Sequence, residues 1–178
     1  MLPDILARDL SVVFCGTAVG AASAARGHYY AGPGNEFWRF LFESSLTPTL
    51  LSPEQDTMLP RFGIGLTDLA KSVAQSHDRG LDPFHDVESL VDKMTEYAPV
   101  GIAFHGKKAA EVVSHSVGRG RDVRHGEQRW RVADARVFVV PSASAANREP
   151  RDPERRRKRL DGKDRRVDWF RELAAQVR

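Results

Sequence analysis

The sequence contains almost no cysteine. Its single cysteine, Cys15, cannot form a disulfide within the chain, and no cysteine cluster is present that could bind zinc or an iron–sulfur cluster. The six histidines show no paired metal-ligand spacing. We therefore expect neither a metal ion nor another cofactor.

Several other patterns are missing as well. No apolar run is long enough to cross a membrane, and the N-terminal residues lack the charged start and apolar stretch of a signal peptide. No strand is followed by G-x-G-x-x-G, and G-K-[ST] does not occur, which argues against dinucleotide and P-loop binding. These absences predict a soluble, cytoplasmic protein that does not bind membranes.

Positive charge is concentrated at one end of the chain. Residues 148–178 contain 12 Lys and Arg against 7 Asp and Glu, whereas the rest of the 178-residue chain is slightly acidic. Such a segment is either a solvated helical face or a contact for a polyanion such as DNA. If it contacts DNA, deleting the residues after Arg151 should reduce the salt-sensitive contribution to binding.

Short apolar strands alternate with amphipathic helices. Strands are predicted at 11–15, 100–106 and 136–141, a loop or short strand at 63–70, and a polar loop or hairpin at 118–131. Helices are predicted at 35–45, from Ser52, and at 86–97, 107–115, 153–160 and 164–177. This alternation predicts a parallel sheet covered on both faces, whose functional site lies beyond the carboxyl ends of the strands.

The stretch GTAVGAASAARGHYYAGPGNEFW, residues 16–38, follows the first predicted strand. Its glycines and alanines leave backbone N–H groups accessible, and Tyr29 and Tyr30 offer flat faces. Both features suit a planar ligand with carbonyl groups, such as a nucleobase. The alternative is that the tyrosines are ordinary core or rim residues and the glycines form turns.

Four blocks in order carry a family resemblance: GHYYAGPGNEFW (27–38), FGIGLTDL (62–69), FHGKKAAE (104–111) and VVPSASA (139–145). Over residues 10–148 the chain resembles the mismatch-specific uracil/thymine DNA glycosylases of the uracil-DNA glycosylase superfamily. The resemblance implies a three-layer α/β/α sandwich with a four-stranded, mainly parallel sheet. We expect a monomer with a catalytic domain at 1–150 and a basic helical extension at 151–178 packed on it.

The resemblance also implies a function and a set of site residues. A uracil, or another deaminated or mispaired pyrimidine, would be flipped out of double- or single-stranded DNA and released by hydrolysis, leaving an abasic site. Tyr30 would stack on the base, and Asn35 would form the floor of the pocket. The implied substrate-binding residues are Gly16, Thr17, Ala18, Tyr30, Asn35 and Ser142. The implied DNA contacts are His28, Lys107, Ala143, Ser144, Asn147 and Arg148.

One departure from the family affects catalysis. Relatives usually have Gly-hydrophobic-Asn-Pro-Gly in the first motif, and that Asn positions the attacking water, but this chain has Ala18 there. Asp68 is the best replacement, since a carboxylate can activate water and stabilise an oxocarbenium-like transition state; Thr17 and His28 are weaker candidates. Two alternatives stay open: Asp68 only caps a turn, or the protein binds nucleic acid without hydrolysing it.

A second departure concerns the leaving base and the DNA gap. Many relatives have His or Asn just before the Pro-Ser of the second motif, where this chain has Val140, so backbone N–H groups would have to stabilise the leaving base. The loop at 141–147, expected to enter the minor groove, has no bulky residue. We therefore hypothesise a tolerance or preference for single-stranded or weakly paired DNA.

Overall fold

The computed structural model describes residues 1–75, 79–147 and 149–177. Its centre is a five-stranded sheet in the order β2-β1-β3-β5-β4. β1 pairs in parallel with β2 and β3, β3 pairs in parallel with β5, and β4 pairs with β5 in antiparallel orientation. The strands are β1 (Val12–Val19), β2 (Ile64–Ala74), β3 (Gly101–His105), β4 (Gly126–Val132) and β5 (Ala135–Val140).

Helices precede or follow most strands. The α-helices are α1 (Ala21–Arg26), α2 (Phe37–Glu43), α3 (Val87–Tyr97), α4 (Lys107–Ser116), α5 (Pro153–Arg159) and α6 (Arg166–Val177). Short 3-10 helices lie at Pro53–Phe62, Asp82–Phe84 and Ala145–Asn147. None of the helices in the described ranges is both long and apolar enough to cross a bilayer.

The sheet separates two apolar clusters, so the fold has three layers. On one face, Phe14 packs against Phe37 of α2 and Phe170 of α6, with ring centroids 5.2 and 5.8 Å apart. On the other face, Val13 of β1 belongs to a cluster with residues of α3 and α4. Successive residues of a strand point to opposite faces, which explains how neighbours such as Val13 and Phe14 join different clusters.

The α/β architecture agrees with the prediction, but three details differ. The sheet has five strands rather than four, because residues 126–132 form a hairpin strand with β5. β1 continues through Gly16 to Val19, where a loop was predicted. Residues 64–70, where a loop or short strand was predicted, belong to the 11-residue strand β2, whose early part is fully buried. Gly16–Val19 and most of the block at 62–69 therefore lie on the paired strands β1 and β2, which fixes their relative positions.

The basic C-terminal segment is part of the core. In α6, Trp169, Phe170 and Leu173 are at most 8% exposed and belong to the same cluster as Phe14. The indole N–H of Trp169 donates to the carbonyl of Leu160, 2.8 Å away. We therefore expect a deletion after Arg151 to remove core side chains as well as basic ones.

Candidate active site

Four residues form a row across the carboxyl edge of the sheet. Strand register pairs Asp68 with Gly16 and His105 with Val140. Cys15 pairs with Phe104, so Gly16 and His105 are the next residues along β1 and β3. The row runs Asp68–Gly16–His105–Val140, with neighbouring strands about 4.8 Å apart.

Asp68 is a buried carboxylate without a partner. It is 5% exposed, and no hydrogen bond or ion pair from residues 1–75, 79–147 or 149–177 reaches its side chain. Burial raises the pKa of the Asp68 carboxyl to about 7; the Lys71 ammonium opposes this shift, Asp4 adds to it and Lys93 opposes it. A buried carboxylate with a raised pKa in a cavity is characteristic of functional sites.

Gly16 makes room for this carboxyl group. A Cβ on residue 16 would lie 2.5 Å from Oδ1 of Asp68 and 3.9 Å from the hydroxyl of Tyr30. The absence of a side chain at position 16 therefore lets the Asp68 carboxyl extend over β1 towards Tyr30. Glycine is required here because of space, not because of a positive φ angle.

The ring of Tyr30 is held in place by an aromatic neighbour. Its ring stacks on Phe37 with centroids 3.8 Å apart, and it adopts φ 53°, which is uncommon for a bulky residue. The preceding loop is anchored by Asp56, whose Oδ2 accepts from the backbone N–H of Tyr29 at 3.1 Å. The buried hydroxyl of Tyr30 has no hydrogen-bond partner in the described part of the chain. A ligand could supply one, since buried polar groups normally have partners.

The β1 segment from Gly16 to Val19 forms a wall of the cavity. Its register with β3 ends at Cys15, although it continues to pair with β2. No strand among the described residues pairs with the edge of this segment that would face β3, and the segment borders the cavity, which suits recognition of base carbonyl and N–H groups. Ala18 brings no polar side chain to this wall.

His105 lies at the end of β3 and is 8% exposed. Its Nε2 accepts a hydrogen bond from the backbone N–H of Ala143 at 2.9 Å, and its ring lies edge-on to Tyr30 with centroids 4.9 Å apart. Burial, with a smaller effect from the Arg166 charge, lowers the pKa of His105 to about 3. The imidazole is therefore neutral at physiological pH.

The loop after β5 is fastened by Arg166 of α6. This guanidinium is 4% exposed; its Nη1 donates to the carbonyls of Ser142 at 2.8 Å and Ser144 at 3.2 Å, and its Nη2 pairs with Glu36. The C-terminal helix therefore determines the shape of the loop that begins at Pro141.

One cavity of about 640 Å³ connects these elements. Besides Asp68, it is lined by all six predicted substrate-binding residues: Gly16, Thr17, Ala18, Tyr30, Asn35 and Ser142. Of the predicted DNA contacts, Lys107, Ser144 and Asn147 also line it. The structure thus brings together residues from five separate segments of the sequence.

Two predicted DNA contacts, Ala143 and His28, are not in the lining of this cavity. Ala143 is 0% exposed, and its backbone N–H donates to His105, so its assignment as a DNA contact stays a prediction. His28 is absent from the cavity lining and pairs with Asp56, with Nδ1 and Oδ2 3.3 Å apart. Arg148 lies outside the described residues.

One side of the cavity is lined by basic residues. Lys107, Lys158 and Arg159 line it, the last two from α5. Lys107 pairs with Asp161 at 2.8 Å, and Arg159 donates to Asn147 at 2.9 Å. The C-terminal segment thus contributes charge to the cavity as well as helix α6 to the core.

Sequence reasoning missed two residues of this site. His105 gave no signal as a single histidine, and only the pairing of β3 with β5 brings it beside Val140. Arg166 was one of many arginines in a basic segment, and its burial depends on the docking of α6. No group of three or more His, Cys, Asp or Glu suited to a metal ion occurs among the described residues.

Comparison with known proteins assigns the family. Residues 3–171 match the family model described as the Uracil DNA glycosylase superfamily, and the chain belongs to this superfamily. Its fold is similar to the solution NMR structure of "a putative Uracil DNA glycosylase" from Methanosarcina acetivorans. The two chains share 22% identity, with a TM-score of 0.59 over 97% of this chain and 96% of that one.

Proposed function

We propose that this protein is a DNA glycosylase that releases uracil, and other deaminated or mispaired pyrimidines, from DNA and leaves an abasic site. The observation that carries the proposal is the Asp68 carboxylate, buried beside Gly16 in a cavity lined by Tyr30. Membership of the superfamily and the unpaired edge of β1 support the same substrate class. The substrate base must leave the DNA stack to reach this cavity.

Asp68 serves as the carboxylate for hydrolysis. The bond between C1′ of the deoxyribose and the base nitrogen breaks, and its electron pair leaves with the base while positive charge develops on the sugar. The ionised carboxylate stabilises that charge and accepts a proton from the attacking water, whose oxygen bonds to C1′. The released base anion then takes a proton from solvent, and Asp68 returns its proton to solvent.

The environment of Asp68 suits this role. With a pKa of about 7, it is substantially ionised at neutral pH and remains a stronger base than an ordinary carboxylate. Lys71 pairs with Asp4 at 2.9 Å, and its Nζ donates to the Tyr29 hydroxyl at 2.9 Å, which leaves Asp68 free of a direct ion pair. A direct lysine partner would lower the basicity of the carboxylate.

The remaining cavity residues recognise the base and the strand. Tyr30 stacks on the base, and the backbone of Gly16–Ala18 bonds to the polar atoms of its edge. Asn35 uses its Oδ1 to accept from the backbone N–H of Phe37 at 3.0 Å, which orients its amide N–H₂ group for the substrate. Ser142, Ser144 and Asn147 contact the extruded strand, with Lys107 near phosphate.

An excision assay with alkaline cleavage of the abasic site tests this function. The wild type should cleave a uracil-containing oligonucleotide, whereas Asp68→Ala should lose about 100-fold or more in rate and retain DNA binding. Gly32→Ala is a matched control at the cavity, because a Cβ there meets only Ala22, at 3.9 Å. Full activity of Asp68→Ala would exclude the proposed mechanism.

A second candidate function is nucleic-acid binding without catalysis. Ala18, which replaces the usual Asn of the family, is the observation that favours it. In that case the wild type should bind uracil-containing DNA more tightly than matched undamaged DNA, and no abasic site should form. The same assay separates the two functions.

The strand preference is a further part of the proposal. The loop from Pro141 to Asn147 is closed by a short 3-10 helix of small residues and offers no large side chain to fill the gap left by a flipped base. We expect single-stranded substrates to be processed at least as well as duplexes of identical sequence. A duplex rate about tenfold higher would exclude this preference.

A further inference from the structure

His105 lies where this chain needs a hydrogen-bond donor. Val140 occupies the position before Pro141 and Ser142, and its side chain cannot donate a hydrogen bond. His105 is the register partner of Val140 on the neighbouring strand, on the same edge of the sheet. It is separated from Asp68 only by Gly16, which has no side chain to stand between them.

The hydrogen bond to Ala143 fixes the tautomer of His105. The backbone N–H of Ala143 donates to Nε2 at 2.9 Å, so Nε2 carries no proton. A neutral imidazole has one N–H, which must then be on Nδ1. The lowered pKa of His105, about 3, agrees with a neutral ring.

The Nδ1–H group of His105 is available to a ligand. No hydrogen-bond partner for it occurs in residues 1–75, 79–147 or 149–177, and His105 lines the same cavity as Asp68 and Tyr30. Its ring is held by aromatic neighbours, with Phe37 edge-on at a centroid distance of 5.6 Å. A donor of fixed direction without a protein partner indicates a place for an acceptor atom of the substrate.

We propose that His105 is a catalytic residue whose Nδ1–H donates a hydrogen bond to a carbonyl oxygen of the departing base, in the same cavity as Asp68. This inference rests on the proposed glycosylase function. As the bond to C1′ breaks, its electron pair moves onto the base and increases the negative charge on that oxygen. The donor is already oriented, so the hydrogen bond strengthens in the transition state, while its proton stays on His105.

Two variants separate this role from support of the loop. His105→Gln can keep both functions, because its carbonyl can accept from Ala143 and its amide can donate to the base. His105→Leu removes both. Since His105→Leu leaves the Ala143 N–H without an acceptor, its fold and DNA binding must be measured alongside its rate.

The decisive comparison uses two bases in single-turnover excision. Fluorine at C5 makes the 5-fluorouracil anion more stable than the uracil anion, so this base needs less help to leave. We expect His105→Leu to lose about 100-fold on uracil and only about tenfold on 5-fluorouracil, and His105→Gln to stay within about tenfold of wild type on both. Because the ratio of the two losses is measured on one preparation, partial misfolding cannot produce it.

Equal losses on both bases, or no loss in His105→Leu, would overturn the proposal. If wild type itself excises neither base, the glycosylase function and this catalytic role both fail. The base contact is then decided by ¹⁵N NMR of the wild-type histidine rings with free uracil. A shift of the His105 Nδ1–H signal would keep the contact as part of a binding pocket, and its absence would overturn that as well.

Discussion

The Oδ1 atom of Asp68 occupies the place where a side chain at Gly16 would begin. The distance from an added Cβ would be 2.5 Å, too short for any real contact. The two residues are register partners on β1 and β2, so neither can move away without disturbing the centre of the sheet. The position of the carboxylate and the identity of residue 16 are therefore coupled.

This coupling can be measured by a double-mutant cycle. We expect Gly16→Ala to lower the free energy of unfolding by about 1–3 kcal/mol, because it overpacks the cavity, and to lower excision by displacing the carboxyl. In the Asp68→Ala background the same substitution should change stability by less than about 0.5 kcal/mol, because the clashing atom is gone. Urea unfolding of the four proteins gives the result. Equal destabilisation in both backgrounds would contradict the contact.

The rate of excision should depend on the ionisation of Asp68. Only the ionised carboxylate can accept the proton of water, so single-turnover rates should rise about tenfold per pH unit and level off above an apparent pKa near 7. Neutral His105, with a pKa of about 3, does not titrate in this range. Rates measured from pH 5 to 9 test this. Rates that stay constant from pH 5 to 9 would mean that no group with a pKa near 7 controls excision.

Asp68 should also make the fold less stable as pH rises. Its folded-state pKa, about 7, lies above the usual unfolded value, so between about pH 4 and 7 the folded state binds more protons and stability decreases with pH. Asp68→Asn removes the titrating carboxyl group, so the variant should not lose stability in this way as pH rises. We expect its stability advantage over wild type to grow across this interval to about 2–4 kcal/mol. Thermal unfolding at pH 4, 5.5 and 7.5 measures it; a constant difference would contradict the assigned pKa.

Arg166 should matter for structure more than for phosphate binding. Replacing it with Met leaves the carbonyls of Ser142 and Ser144 and the Glu36 carboxylate without their buried donor, and we expect a loss of about 2–4 kcal/mol in stability. Arg165→Met is the matched control, because the neighbouring Arg165 pairs with Glu43 at the surface. The salt dependence of DNA binding should be the same in Arg166→Met and wild type. A reduced salt slope would indicate a direct phosphate contact.

Lys158 should show the opposite behaviour. It is exposed on α5 and lines the basic side of the cavity, so we expect Lys158→Gln to leave the melting temperature unchanged and to reduce the salt slope of duplex binding by about one unit. Arg155→Gln, on the same helix but absent from the cavity lining, is the control. Titrations between low and moderate salt compare the three proteins. An unchanged slope for Lys158→Gln would place the phosphates elsewhere.

Local patterns predicted many of the elements. Ser52, Pro53 and Gln55 predicted a helix start, and the structure has the reciprocal capping box there. The apolar stripe at 86–97 predicted α3, whose N-cap Asp86 accepts from the N–H of Ser89 at 2.9 Å. Such signals act over three or four residues, so the sequence alone displays them.

The features that the sequence did not predict depend on pairing between strands that are distant in the chain. Glycines at 63 and 65 suggested a loop, yet Gly65 lies in β2, where a Cβ would be 2.7 Å from Leu10. The N-terminal segment approaches β2 closely through Ile5, which pairs with Leu66. Asp68 was found from its motif, but its partnerless state and the place of His105 in the row depend on which strands are neighbours. No local pattern encodes strand order.

The hydrogen bonds from Arg166 to the loop after β5 have a consequence for synthesis of the protein. Most elements around the cavity precede residue 150, but α5 lines its basic side, and the carbonyls of this loop acquire their Arg166 donor only when α6 has emerged from the ribosome and docked. A nascent chain could therefore form most of the sheet before it completes the substrate cavity. Such an order would keep a nascent chain that still lacks α6 from acting on DNA.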